Sequence, residues 1–579
     1  VLCRDGSIEQ ESEARCVSEP TKTNVLAGAG YGRYLLFIAG MGGLLYGIDV
    51  GIISAALLYL GKTVDLSLGQ TSAIVAAVLG GSMCSSLVAG FLADWLGRRT
   101  MMIVSGFLFV ASVVLIVLSH GFATLFVGRL LQGLSGGVIA VVVPLYLAES
   151  LSAAHRGRGT AIFQLMLTIG IVIAAFAGWF YTRQAEAAIL AANGNALLIR
   201  AAEDHAWRGM FLSVIYPGLI FFAGSFLLVE TPRWLYRRGQ RERALNALRR
   251  SVSEHEALAE LAEMDALADS NQQKVASGAA GSLLQRKYVL PFVLACVILA
   301  CNQGTGINSI LGYLAVILKQ AGLSASQATQ WDLGVKVLNC LMTVAAVALV
   351  DRKGRKFLLM LGTAGIMVAL GTGGLLFHSF ESKRIDVRGQ IEAQIHGNAV
   401  QLSSQGISGL AAGAGPMALT VIYTYGDGDK LLTATNTEGS LDIKPDAKET
   451  TGALIIKHAL YGPIPAERTG QLVALCIALF IASFSVGPGV VVWLALSELM
   501  PTRIRSGGMG VALLLNQGVS TSIAGVFLPV VGAYGYYAMF FFWTGFTVIY
   551  FLTATFFLPE TKGKTLEEIE LGFEGKKAA

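Results

Sequence analysis

Twelve long apolar runs, separated by polar connections, organise this chain. They cover approximately residues 34–60, 71–93, 101–119, 122–148, 159–182, 208–228, 290–319, 330–350, 357–379, 470–498, 506–530 and 533–558. A helix needs about 20 such residues to cross a bilayer. The pattern predicts an all-α membrane protein of twelve transmembrane helices, in a six-helix N-terminal bundle (34–228) and a six-helix C-terminal bundle (290–558). Outside them lie a polar N-terminal tail (1–33), a linker (229–289), an insertion (380–469) and a C-terminal tail (559–579). The linker reads as short amphipathic helices, for example 241–248 and 254–267, and the Ala-rich stretch 183–207 reads as helical. Within the insertion, Leu419 to Tyr425 alternates as a strand does, and Gly426-Asp427-Gly428-Asp429 signals a turn. A small β-rich extracytoplasmic subdomain is expected there. Asp427 and Asp429 lack the later Glu of a calcium loop, so they read as a solvated turn.

Composition agrees with the pattern. Of 579 residues, 54% are hydrophobic and only 14% charged, against about a quarter charged in soluble proteins. The placement of positive charge sets orientation. One set of connections carries Arg98 and Arg99, Arg156 and Arg158, Arg352, Lys353, Arg355 and Lys356, and Arg503 and Arg505. The linker adds Arg233, Arg237, Arg238, Arg241 and Arg243, while the opposite connections are sparse, with Lys62 in the first. Both termini are therefore expected in the cytoplasm, in a plasma or bacterial inner membrane. The N-terminus lacks the basic-then-apolar pattern of a cleaved signal, so the first span is expected to be retained. Basic residues confined to short loops give no nucleic-acid surface. Five of the seven cysteines lie in apolar segments, with no disulfide or metal-ligand spacing. No metal or cofactor is expected.

Asp49 changes the picture most. It sits mid-run in Gly42-Gly43-Leu44-Leu45-Tyr46-Gly47-Ile48-Asp49-Val50-Gly51-Ile52-Ile53-Ser54. A carboxylate at that depth costs about 2.5–3.5 kcal/mol on insertion scales, so it must face a cavity or a partner. Arg129 is the natural partner. Asp49 lies about eleven residues from the outer end of its run and Arg129 about seven from the outer end of the fourth, a depth difference of about 6 Å that an Arg side chain spans. An ion pair keeps Asp49 charged, whereas separating it leaves a desolvated carboxylate that takes up a proton. Packing at a helix contact is the plainer reading.

An internal repeat supports two halves. Asp94-Trp95-Leu96-Gly97-Arg98-Arg99 follows the second run and Asp351-Arg352-Lys353-Gly354-Arg355-Lys356 the eighth, 257 positions on. Glu149 and Arg156 are echoed by Glu498 and Arg505, 349 positions on. The two offsets differ by 92 residues, about the length of the 380–469 insertion. Asp94, Arg98, Glu149, Arg156, Arg158, Asp351, Arg355, Glu498, Arg503 and Arg505 are thus candidates for a cytoplasmic gate that bolts the halves together. Fixing topology and loop geometry is the alternative role.

Several motifs resemble the sugar porter family of the major facilitator superfamily. They are Gly128-Arg129, Pro144-Leu145-Tyr146-Leu147-Ala148-Glu149, Arg156-Gly157-Arg158-Gly159, Glu230-Thr231-Pro232-Arg233-Trp234-Leu235, Gly306-Ile307-Asn308, Ser497 to Arg503, and Pro559-Glu560-Thr561-Lys562-Gly563. The resemblance covers all twelve runs and implies two bundles rocking about a central sugar site, consistent with midplane sites between repeats. It implies that Gln164, Gln303, Asn308, Asn339, Trp493 and Asn516 contact sugar. Amides suit this role because they both donate to and accept from hydroxyls. Asn302, Thr305, Tyr313 and Gln517 are further candidates, and interhelical packing is the alternative for each amide. Gly304 and Gly306 should loosen the seventh run, and Gly487, Pro488 and Gly489 the tenth. The chain departs from the family at Asn302, where a Gln is usual, at Gly312 in place of a Tyr, at Ser485 in place of an acid, at Val490 and Val492 in place of prolines, and at Gln517 in place of a Trp. Lys336 lies near the outer end of its run and is expected to snorkel.

These readings converge on proton-coupled symport of a monosaccharide, hexose or pentose, by a monomer. The resemblance implies an Asp–Arg pair in symporters and a neutral residue at the Asp49 position in many uniporters. A facilitative uniporter and a non-transporting sugar sensor are the alternatives. An enzyme has no support, since Gly133 to Gly137 and Gly413 to Gly415 follow no nucleotide-binding strand and carry no phosphate-binding Lys.

Overall fold

The computed structural model describes residues 22–151, 153–251, 254–276, 286–410, 416–426, 428–436, 441–445, 452–492 and 505–559. Twelve helices among them are long and apolar enough to span a membrane. They are span 1 (Gly30–Thr63), span 2 (Leu68–Leu96), span 3 (Arg98–Val117), span 4 (Phe122–Ser150), span 5 (Ala161–Ala191) and span 6 (Ala196–Ser225). The second set is span 7 (Val289–Gln320), span 8 (Ala325–Val350), span 9 (Arg355–Glu381), span 10 (Glu467–Val492), span 11 (Gly510–Tyr534) and span 12 (Tyr536–Phe556). The stretch 183–207 is indeed helical, because spans 5 and 6 simply continue through it to a tight turn at Asn193 and Gly194.

The repeat is structural as well as sequential. Span 2 starts at a capping box of Ser67 and Gln70, and span 8 at one of Ser324 and Gln327. Each box satisfies amides that a helix start leaves free. The two spans end at Gly97 (φ 96°, ψ 152°) and Gly354 (φ 91°, ψ 156°), a corner that only glycine takes without strain. Packing repeats too: span 1 lies against 5 as 7 does against 11, 2 against 4 as 8 against 10, and 3 against 6 as 9 against 12. The two halves meet where span 2 packs on 11, 5 on 8 and 1 on 7.

On one face of the helices lies the linker, with helices Pro232–Arg237, Arg241–Ser251 and Glu254–Ala276. They share a small core of Leu248, Ala257, Leu261 and Met264, backed by Tyr236 and Leu245. On the other face lies the insertion. Its strands are β1 (Ile385–Asp386), β2 (Val400–Leu402), β3 (Met417–Thr424), β4 (Lys430–Thr435), β5 (Leu441–Ile443) and β6 (Ile455–Pro463). An antiparallel sheet in the order β1-β6-β3-β4 and a β2-β5 pair enclose a separate core that includes Ile391, Leu419, Val421, Ile443 and Tyr461. The insertion sits within the C-terminal half yet reaches the N-terminal one. The amide of Leu68 donates to the Asp429 carbonyl (2.7 Å), and Lys430 pairs with Asp65 (2.7 Å). Asp427 lies outside the described residues; Asp429 pairs with Lys457 at 2.6 Å.

Candidate functional site

Span 1 is shaped to bring backbone against backbone. Gly43, Gly47 and Gly51 recur every fourth residue and so share one helix face. A Cβ at Gly47 would lie 1.9 Å from the Leu167 carbonyl oxygen, and one at Gly43 2.4 Å from that of Phe163. At Gly51 it would meet Ala174 Cβ at 2.8 Å. Span 1 therefore rests directly on span 5. Another face turns Asp49 toward span 4, where Gly136 leaves room: a Cβ there would come within 3.4 Å of Asp49 Oδ2.

Arg129 Nη1 donates to Asp49 Oδ1 at 3.3 Å and to Gln132 Oε1 at 2.7 Å, and its guanidinium lies 5.6 Å from the Phe211 ring centre. Asp49 is 1% exposed and Arg129 2%. Asp49 Oδ2 and Arg129 Nε have no hydrogen-bond partner among the described residues. The pair is thus fully desolvated yet incompletely bonded, the condition in which removing one charge costs most. Tyr46, one turn before Asp49, meets Ser82 and Gln517, so span 11 touches the same turn of span 1.

The amides fall into two bonded groups. In the first, span 7 breaks at Thr305 and Gly306, where φ is 81° and a Cβ would lie 2.4 Å from the Trp543 indole. Beside this break Asn308 Nδ2 donates to Gln303 Oε1 (3.0 Å) and to Ser520 Oγ on span 11 (2.8 Å). In the second, Ser485 Oγ of span 10 donates to Asn339 Oδ1 of span 8 (2.7 Å), just before the helix breaks at Gly487. Gln164 is exposed, Gln517 half-buried and Asn516 buried. Asn302, Thr305 and Tyr313 are buried in helix packing. Asn302 donates to the Pro488 carbonyl (3.4 Å), Thr305 to that of Asn302 (2.6 Å) and Tyr313 to that of Ala524 (3.3 Å). Trp493 lies outside the described residues.

At the linker face, Arg98 is 1% exposed. It donates to Asp94 (2.6 Å), to Glu149 Oε1 (3.0 Å) and to the Ala93 carbonyl (3.0 Å), and its Nε lies at ion-pair distance, 2.9 Å, from Glu149 Oε2. Glu149 also accepts from Arg237 (2.8 Å) and the Thr231 hydroxyl (2.6 Å). Glu230 takes the amides of Arg98, Arg99 and Thr231. Burial pushes its carboxyl above the usual range, and those three amides and Arg98 pull it back. Every one of these partners belongs to the N-terminal half or the linker helix, so in this structure the cluster ties the linker to its own bundle. The sequence marked Asp94, Arg98 and Glu149 for this cluster but gave no such role to Thr231, read only as part of a motif, or to Arg237, read only as one basic residue of the linker. Arg355 is half-buried at the start of span 9. Glu498 and Arg503 lie outside the described residues, and so do the side chains of Arg156, Arg158, Asp351 and Arg505.

Lys336 corrects the sequence expectation. It does not snorkel: it is 0% exposed and paired at 2.8 Å with Asp332, one turn earlier on span 8. Asp332 itself went unremarked in the sequence, although its four-residue spacing from Lys336 was a usable signal.

Cross-half hydrogen bonds among the described residues cluster toward the insertion. Besides Tyr46 and Gln517 at mid-depth, they join Ser54 to Asp332 and Ala315, Lys336 to the Gly51 carbonyl, Ser72 to Leu528, Glu186 to Ser326, and Thr168 to Cys340. Thr168 follows Leu167, which is level with Gly47, so each joins the halves at the depth of Gly47 or nearer the insertion.

Comparison with known proteins accords with this architecture. The chain is 27% identical over 544 residues to the glucose transporter GlcP of Staphylococcus epidermidis, covering 93% of this chain and 96% of that one. It is 29% identical over 561 residues to the probable inositol transporter 2 of Arabidopsis thaliana, covering 93% and 90%. Its fold matches the xylose transporter XylE from E. coli in a partially occluded inward-open conformation, with a TM-score of 0.65 at 20% identity over 93% of this chain and 100% of that one. A model of the family described as sugar (and other) transporter matches residues 35–388 and 451–573, leaving out most of the insertion. The chain therefore belongs to the sugar transporter family: it is a multi-pass membrane transporter of the sugar porter type, with the major facilitator fold, and not an enzyme.

Proposed function

We propose that this transporter couples the uptake of an uncharged monosaccharide, a hexose or pentose, to the inward movement of a proton, with the linker face and both termini in the cytoplasm. The observation that carries the reading is the Asp49–Arg129 pair, 3.3 Å apart, buried in span 1 and span 4. A packing role alone would favour a neutral residue there, because burying a carboxylate at that depth is costly. The pair keeps Asp49 ionised while it is closed; opening it leaves the carboxylate desolvated and ready to take a proton.

The sugar is bound by the Gln303–Asn308–Ser520 network and by Asn339, Asn516, Gln164 and Gln517. Arranged on spans 5, 7, 8 and 11, these groups present donors and acceptors from both halves, as an uncharged polyol requires. The glucose and inositol named for the two relatives are both of that class. Tyr46 relates the two sites, since it shares a helix turn with Asp49 and meets Gln517. The driving force is the proton gradient, and the monomer is the working unit.

The test is uphill sugar uptake in proteoliposomes with an imposed pH gradient, compared with sugar counterflow. Symport predicts that Asp49→Asn abolishes accumulation and retains counterflow. Accumulation unchanged in Asp49→Asn removes the coupling role, and equilibration without accumulation in the unaltered protein makes it a uniporter.

A further inference from the structure

Span 8 carries a second buried charge pair that the sugar and proton sites do not use. Lys336 Nζ lies 2.8 Å from Asp332 Oδ2 and 3.0 Å from the Gly51 carbonyl oxygen of span 1. The other Asp332 oxygen accepts from the Ser54 hydroxyl at 3.2 Å, and Ser54 Oγ in turn accepts the Ala315 amide of span 7 at 3.0 Å. One compact network therefore ties span 1 of the N-terminal half to spans 7 and 8 of the C-terminal half. Both charged groups are 0% exposed.

Such a pair is a poor device for stability alone, because similarly sized neutral side chains pack as well without the desolvation cost. It is a good device for a contact that must form and break. Asp332 and Lys336 share span 8 and stay paired as the halves separate; closed, each also bonds span 1, and opened, water takes the places of the Gly51 carbonyl and the Ser54 hydroxyl, so neither state strands a charge in an apolar setting. Its position fits. The network lies on the insertion side of Asp49, two residues along span 1 at Gly51 and five at Ser54. It lies among the hydrogen bonds that join the two halves on this side.

We propose that Asp332, Lys336 and Ser54 form the latch that holds the insertion side of the pathway shut. They are positioning residues, which act by holding span 1, and with it Asp49, against spans 7 and 8. The inference rests on transport by alternating access and stands whether or not a proton is coupled.

Its test reads the closed state directly. Val75 of span 2 is buried, and its Cγ1 lies 3.5 Å from where a Cβ on Gly312 of span 7 would sit. A Val75→Cys reporter, in a protein whose own cysteines are replaced and whose transport is verified, is treated with a membrane-impermeant maleimide from the insertion side. Labelling is counted per folded molecule after size exclusion. The double variant Asp332→Asn/Lys336→Met, which keeps shape and removes both charges, should raise the labelling rate about tenfold, the factor for one or two lost net hydrogen bonds. Ser54→Ala, which spares the charge pair, should raise it by a smaller factor and decides the matter if the double variant does not fold. Lys336→Arg should restore protection at least in part. Labelling unchanged or slowed in the folded variants would overturn the latch, leaving the pair a packing feature. Failure of the proton reading alone would leave these rates as they are.

Discussion

Replacing Gly47 by alanine tests the geometry on which the site depends. The new methyl would sit 1.9 Å from the Leu167 carbonyl oxygen and 3.0 Å from the Ile171 amide nitrogen. Ordinary contact begins at 3.4 Å, so span 1 must retreat from span 5 by about 1.5 Å. Neither obstacle is the flexible end of a side chain, so nothing local can absorb the shift. Overpacking of this kind costs about 1–3 kcal/mol, and here the rigid partners place it at the upper end. Gly61→Ala is the matched control, because nothing lies within 4 Å of a Cβ there and alanine favours a helix by up to about 1 kcal/mol. Apparent melting temperature in detergent, followed by fluorescence-detected size exclusion, should fall for Gly47→Ala and hold or rise for Gly61→Ala. Sugar uptake should be lost in the first even where protein is recovered, since Asp49 sits half a turn from the displaced contact. Equal melting and full uptake in Gly47→Ala would refute the direct contact of spans 1 and 5.

Three other outcomes follow from the same structure. Asn308→Ala removes the bonds to Gln303 and Ser520, and Gln303→Ala one of them; each should weaken apparent sugar affinity about tenfold with expression retained. Unchanged affinity in both would take span 7 out of the sugar site. Glu149→Ala leaves Arg98 buried without its main partner and should destabilise by about 3–5 kcal/mol. Arg237→Ala, at a side chain 56% exposed, should cost less than about 1 kcal/mol; equal melting of the two variants would contradict the cluster. Exchanging residues 385–463 for a short Gly/Ser linker should preserve folding of the twelve spans, because the insertion has its own core, and aggregation of that variant would show otherwise.

Much of this was legible in the sequence because a bilayer leaves a chain few options. Twelve spans, their repeat and the weak points at Gly306 and Gly487 all announce themselves as apolar length or as glycine. Asp49 and Arg129 stood out because charge is rare at that depth, and complementary depth picked the partner. Less could be read where meaning depends on distant packing. Lys336 looked like a side chain reaching for the surface, because its nearness to Gly51 exists only once spans 1 and 8 meet. Arg237 was one basic residue among several until the linker helix placed it over Glu149. The strand at Leu419 to Tyr425 showed its alternation, but its neighbour β6 begins some thirty residues later, beyond any local pattern.

Coupling is tested most directly by sugar-induced proton current in proteoliposomes, with hexoses, pentoses and disaccharides offered in turn. The account predicts an inward current for at least one monosaccharide, absent in Asp49→Asn. Flux of that sugar with no current in the unaltered protein would contradict it, and would leave the Asp49–Arg129 pair as a gate without a proton.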